Sequence, residues 1–184
     1  MESRPYLLFT ALLLLAGCTG QSGTVTAPGD VDGSSTGNLT FSSPAFSAGN
    51  SIPARFTCDG QDQRPPFQID GVPDPATTLA IVIDDPEAPS GTFTHWTAWN
   101  IPANRSHIPK DSLPEPTMQG MNGFGSTGYR GPCPPGGSNH TYRFTLYALN
   151  RQLRLEPGAT KAQLFNAMDG HVVAKKRFTA YYSR

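Results

Sequence analysis

Glycine and proline decide what this chain can become. It carries 19 glycines and 18 prolines among 184 residues, about one position in five. Proline removes a backbone donor and breaks a helix interior, and glycine weakens one. Chains punctuated this densely favour short strands joined by shaped turns. A coiled coil, a multi-pass membrane protein and a large multidomain enzyme are excluded, and the length suits one domain with a tail or leader. Charge adds a second exclusion. Fourteen basic residues balance fourteen acidic ones, and charged residues make up 15% of the chain, against roughly 25% in an average globular protein. A nucleic-acid partner would call for a basic stripe, so none is expected.

Residues 1–17 read as a leader. After Arg4, residues 6–15 are apolar except for Thr10. That run is too short for a bilayer core, which needs about 20 helical residues, but it suits the apolar centre of a secretory signal. Leu15-Ala16-Gly17-Cys18 follows. It resembles the bacterial lipobox, in which the cysteine thiol is lipidated and becomes the new N-terminus. The expectation is export and anchoring to the bacterial cell envelope membrane through Cys18. Thr19 after the cysteine is compatible with outer-membrane sorting in a Gram-negative host. Residues 19–38 have no apolar periodicity and cannot offset their ordering entropy. They read as a tether with a reach of roughly 25 Å. The folded domain is expected over residues 39–184.

Within that domain the pattern is mostly strand. Residues 79–83, Leu-Ala-Ile-Val-Ile, form the continuous apolar run of a strand buried on both faces. Residues 94–101 alternate, with His95, Thr97 and Trp99 on one face and Trp96, Ala98 and Asn100 on the other. Residues 140–149 alternate as well, and 172–182 supply a last strand. One helix is expected near 160–168, burying Leu164, Phe165 and Met168, with Gly170 just past its end. The fold class is all-β, two packed antiparallel sheets with one or two short helices.

Gly123-Phe124-Gly125-Ser126-Thr127-Gly128 matches a dinucleotide-binding pattern letter for letter. Such a site needs a strand before it and a helix after it. Here Pro132, Pro134 and Pro135 follow and forbid the helix. A different constellation carries chemistry: Asp84-Asp85-Pro86-Glu87-Ala88-Pro89 at the end of a buried strand, His95-Trp96, and Gly131-Pro132-Cys133-Pro134-Pro135 leading to His140-Thr141-Tyr142. Residues two apart on a strand share a face, so His140 and Tyr142 point the same way. Two imidazoles, a phenol and backbone amides make a compact donor set for an oxyanion such as phosphate. Each of these groups could equally be a satisfied structural side chain. With no close-spaced histidine pair, neither a metal nor another cofactor is expected.

These segments, with Gly128-Tyr129-Arg130 before Gly131 and Arg143-Phe144 after Tyr142, resemble the phosphatidylethanolamine-binding protein family, and in particular its bacterial kinase-inhibitor-like branch. Thr57-Cys58-Asp59-Gly60, Gly71-Val72-Pro73 and Gly170-His171-Val172 extend the resemblance over nearly all of 39–184. It implies an antiparallel β-sandwich with a small anion-binding pocket lined by Asp85, Glu87, His95, Gly131, Pro132, His140 and Tyr142. It also implies phosphate-like, acetate-like or phospholipid-headgroup ligands, and inhibition of kinases or serine proteases in some members. Three departures stand out. The family commonly has Asp at the position of Glu87, Ser-Pro-Pro-Leu-x-Trp where this chain has Arg64-Pro65-Pro66-Phe67-Gln68-Ile69, and an acidic residue at the middle position of Asn122-Gly123-Phe124, where this chain has Gly123.

Setting Cys18 aside leaves Cys58 and Cys133 in an exported protein, so a disulfide between them is expected. Two buried free thiols are the alternative. The leading functional expectation is a tethered binding module for a small anion or phosphorylated headgroup, without catalysis. A regulator that docks on a protein partner, or a homodimer, is the second expectation. A hydrolase using His95 or His140 as general base is the third.

Overall fold

The computed structural model describes residues 38–184. The expected leader, the Cys18 lipidation site and nearly all of the tether lie outside the described residues. Two antiparallel sheets make up the domain. The smaller one pairs β1 (Thr40–Ser42), β2 (Phe67–Asp70) and β5 (His107–Ile108) in that order. The larger has the order β6-β4-β3-β7-β8, from β3 (Thr78–Asp85), β4 (Phe93–Pro102), β6 (Met118–Gln119), β7 (Asn139–Leu149) and β8 (Val172–Ser183). A 3-10 turn at Ala54–Phe56 and the helix α1 (Lys161–Met168) complete the described elements. None of the described helices is long and apolar enough to cross a membrane.

The apolar run of β3 sits at the centre of the five-stranded sheet, and all of its residues are buried. Leu79, Ile81 and Ile83 face the core between the sheets, while Ala80 and Val82 face the helix side. β7 divides its side chains in the same way. Tyr142, Phe144, Leu146 and Ala148 enter the inter-sheet core, and Tyr147 and Leu149 meet Leu164, Phe165 and Met168 of α1. An aromatic stack joins the last two strands, with the Phe144 and Phe178 rings 4.7 Å apart and 4° from parallel. Each large side chain removed from water contributes about 1.5–3 kcal/mol. An eight-residue helix would not persist alone. Packing on Tyr147 and Leu149 holds α1, and a capping box starts it: Gln163 N–H donates to Thr160 Oγ1 at 3.3 Å, and Thr160 N–H to Gln163 Oε1 at 2.9 Å.

β4 departs from strict alternation twice, and this changes the reading of its faces. Its register with β3 runs Ile83↔Trp96 and then Asp84↔Thr94, so His95 has no residue opposite it. A second slip falls between Ile81↔Ala98 and Leu79↔Ile101. Asn100 there has φ 58°, and its side chain is tied to both main-chain groups of Leu153. A bulge sets two residues against one, so the two-residue period loses its phase. His95 therefore does not point away from Trp96. His95 meets Tyr142 edge-on, Trp96 stacks on Phe67, and both Tyr142 and Phe67 belong to the inter-sheet core. Ile101, not Asn100, continues the row of Trp96 and Ala98.

Candidate functional site

The inter-sheet core opens at one end, where β3 finishes, β4 begins and β7 begins. Asp85 is the last residue of β3 and pairs with Phe93, the first of β4. Both of its carboxylate oxygens are committed. Oδ1 accepts the Glu87 N–H at 2.8 Å, closing the turn that Pro86 starts, and Oδ2 accepts from His140 Nδ1 at 2.7 Å. A cavity of about 320 Å³ forms here, with Asp85, His95 and His140 among the residues lining it.

The two imidazoles are oriented by different partners. His140 is 8% exposed, and its Nδ1–H donates to Asp85, which leaves Nε2. His95 is 3% exposed, and its Nδ1 lies 2.8 Å from the Arg130 carbonyl. A carbonyl only accepts, so His95 also carries its proton on Nδ1 and keeps Nε2 as a lone-pair nitrogen. Burial pushes the His95 pKa down, and the Arg130 carbonyl and the Asp85 charge oppose that shift only in part. At neutral pH His95 is an uncharged acceptor. Behind them lies Tyr142, fully buried, with its ring 5.3 Å from that of His95. Its hydroxyl has no hydrogen-bond partner. Burial raises its pKa, and the charges of Asp85 and Glu87 raise it further. The phenol is thus a neutral donor held without an acceptor, which is costly unless something supplies one.

Four of the seven expected pocket residues stand elsewhere than in the cavity wall. Tyr142 lies behind it. Glu87 is exposed and its carboxylate accepts the Thr141 N–H, so it acts as a strut on β7. The Gly131 N–H is donated to Asp62 Oδ1 at 2.6 Å and does not face a ligand. A Cβ at Gly131 would lie 2.2 Å from the Phe56 carbonyl oxygen, so close main-chain contact is the reason for glycine there. Pro132 lends its carbonyl to the Cys58 N–H at 3.1 Å. In the 131–135 loop, three prolines have no N–H, so only Cys133 retains an amide to offer. Cys133 is bonded to Cys58, and it lines the cavity.

An aromatic wall, absent from the expected site residues, completes the cavity. Phe93 and Phe124 line the cavity, their rings 4.8 Å apart and edge to face, and Phe124 remains 48% exposed. Phe124 is held up by the stretch that mimics a dinucleotide motif. Met121 bridges to Thr127, and Asn122 binds the loop from inside: its Oδ1 accepts the Phe124 N–H at 2.9 Å and its Nδ2 donates to the Gly128 carbonyl at 2.9 Å. A Cβ at Gly123 would strike the Phe93 ring at 2.5 Å. The loop presents a ring, and its amides at Gly123, Phe124, Gly125, Ser126 and Gly128 are spent on Thr94, Asn122 and Gly120. Among the described residues, no three His, Cys, Asp or Glu side chains come together as a metal would need.

This geometry can be set beside known proteins. Residues 42–183 match the family model described as phosphatidylethanolamine-binding protein. The chain belongs to the phosphatidylethanolamine-binding protein family. A UPF0098 protein of Methanothermobacter thermautotrophicus is 44% identical over 151 residues, covering 79% of this chain and 99% of that one. One from Pyrococcus horikoshii is 42% identical over 187 residues, covering 98% of this chain and 88% of its own. Among solved structures, a phosphatidylethanolamine-binding protein homologue of Chlamydia trachomatis superposes with a TM-score of 0.76 at 35% identity, covering 82% of this chain and 99% of that one. As a member of this family, the chain shows what its departures do. Arg64 is buried over the Trp96 ring and donates to the carbonyls of Pro65, Pro109 and Ser112, and burial lowers its pKa to about 10. The segment from Arg64 to Ile69 thus braces the inter-sheet core, away from the cavity wall.

Proposed function

We propose that this protein binds a small oxyanion, a phosphate or the phosphoryl group of a headgroup, in the cavity of His95, His140 and Asp85, and that it does so without turning it over. One observation carries the reading: a fully buried phenol without an acceptor lies behind two imidazoles whose Nε2 atoms are unused. A phosphoryl group supplies what each lacks: an oxygen to accept from Tyr142, an oxygen to accept from His140 Nε2 when that ring carries a second proton, and, when itself protonated, a hydroxyl to donate to His95. The aromatic rim of Phe93 and Phe124 suits the less polar part of such a ligand. The domain is offered to the membrane surface by the lipid on Cys18 and the tether behind it. Incorporation of labelled palmitate, lost in Cys18→Ala, checks the anchor.

Titration calorimetry with inorganic phosphate and with phosphoethanolamine tests the pocket. His140→Ala removes a charge-assisted donor and is expected to weaken binding by about 1.5–3 kcal/mol. Equal affinity in variant and wild type would overturn the assignment. Release of phosphate from phosphoesters by the wild type, lost in His140→Ala, would replace binding with catalysis.

A further inference from the structure

One wall of the cavity carries a covalent bond between two half-buried residues: Cys133, which lines the cavity, is joined to Cys58. Arg184 lies against this bond, its Nη1 3.7 Å from Cys133 Sγ. Asp59 fixes the guanidinium: one carboxylate oxygen accepts from Arg184 Nε at 2.9 Å and the other from the Tyr182 hydroxyl at 2.8 Å. The main chain of Arg184 binds the same loop, accepting the Gly137 N–H at 2.6 Å and donating to the Ser138 carbonyl at 3.1 Å. A guanidinium favours a thiolate over a thiol, and a sulfur of lower pKa is the better leaving group.

The geometry points to Cys58–Cys133 as a thiol–disulfide exchange site whose opening loosens the cavity wall. The co-reactant is an external dithiol. Its thiolate attacks Cys58 Sγ and forms a mixed disulfide, and the electron pair of the broken S–S bond leaves on Cys133 as a thiolate beside Arg184. The second thiol of the reagent gives its proton to water and attacks its own sulfur in the mixed disulfide. Cys58 departs as a thiolate and takes up a proton. The dithiol ends as a disulfide, and the protein has gained the two electrons. With the cross-link gone, the wall beyond Pro132 is held mainly by the contacts of Gly137 and Ser138 with Arg184. The exchange does not depend on what the cavity binds.

The test treats the folded full chain with dithiothreitol without denaturant and counts thiols over time by alkylation and mass. The wild type is expected to be reduced while folded, Arg184→Gln several-fold more slowly, and Arg184→Lys at close to the wild-type rate. Loosening of the fold by the glutamine variant would speed reduction, so slowing cannot come from instability. Hydrogen exchange at the Gly136, Gly137 and Ser138 amides is expected to quicken on reduction, with the β3 and β7 amides unchanged. Equal rates in wild type and Arg184→Gln, reduction only in denaturant, or unaltered exchange in the 136–138 loop would each overturn the proposal.

Discussion

Because His95 gives its Nδ1–H to the Arg130 carbonyl and packs against Phe93 and Tyr142, a second proton would have to sit on Nε2 where little water can solvate it. The folded pKa therefore lies below the ordinary value of 6.5 that the unfolded chain would show. Between those two values the unfolded chain binds more protons, so folding stability is fully present above pH 6.5 and is lost as the pH falls toward the folded pKa. The slope from this one group cannot exceed about 1.4 kcal/mol per pH unit. His95→Asn keeps a donor for the carbonyl but cannot titrate. Urea midpoints measured from about pH 7 to about pH 5 should fall less steeply in the variant than in the wild type. Parallel slopes would mean that His95 is solvated when protonated, and the neutral-acceptor role would go with it.

At the scale of elements, β7 outruns its neighbour. β3 pairs with β7 only as far as Asp84↔Arg143, while β7 continues to Asn139 against β8. The Thr141 N–H is left without a strand beside it, and the Glu87 carboxylate takes that place. His140 is thereby held at a strand end that would otherwise fray. Glu87→Ala is expected to cost about 1 kcal/mol of stability, since the bond is charged but exposed. Phosphate affinity should change far less than in His140→Ala. A calorimetric loss as large as that of His140→Ala would return Glu87 to the pocket. Elements built on local pattern were legible in the sequence: the buried run of β3, the alternation of β7 and the amphipathic turns of α1. The bulge at His95 was not, because it arises from register with another strand and leaves no local signal. Strands as short as β5 and β6 carry no period at all. Asp62, which consumes the Gly131 amide, lies 69 residues away from it in sequence.

For the molecule as a whole, the seam between the 54–62 segment and the loop leading into β7 decides how rigidly the cavity is framed. The 54–62 segment leads into the small sheet, and β7 is in the large one. The seam is held without the disulfide by the Arg130–Asp62 ion pair at 2.6 Å, by the Tyr129 hydroxyl on the Phe56 carbonyl at 2.7 Å, and by the Cys58 N–H on the Pro132 carbonyl. As far as Pro132 these contacts hold the seam in place without the bond, so the effect of the bond on stability falls chiefly on the unfolded chain. Closing a separation of 75 residues removes enough denatured-state entropy to stabilise by about 4 kcal/mol. A domain of this size has about 5–15 kcal/mol in all, so the loss would leave it folded but near its limit. In Cys58→Ala/Cys133→Ala the urea midpoint should drop accordingly. The denaturant slope should rise as well, since an uncross-linked chain exposes more surface when unfolded. A variant with unchanged slope and a loss under about 1 kcal/mol would show that the denatured chain keeps this seam closed without the bond. The hydrogen bonds around Phe56, Asp62 and Arg130 would then be what sets the shape of the cavity.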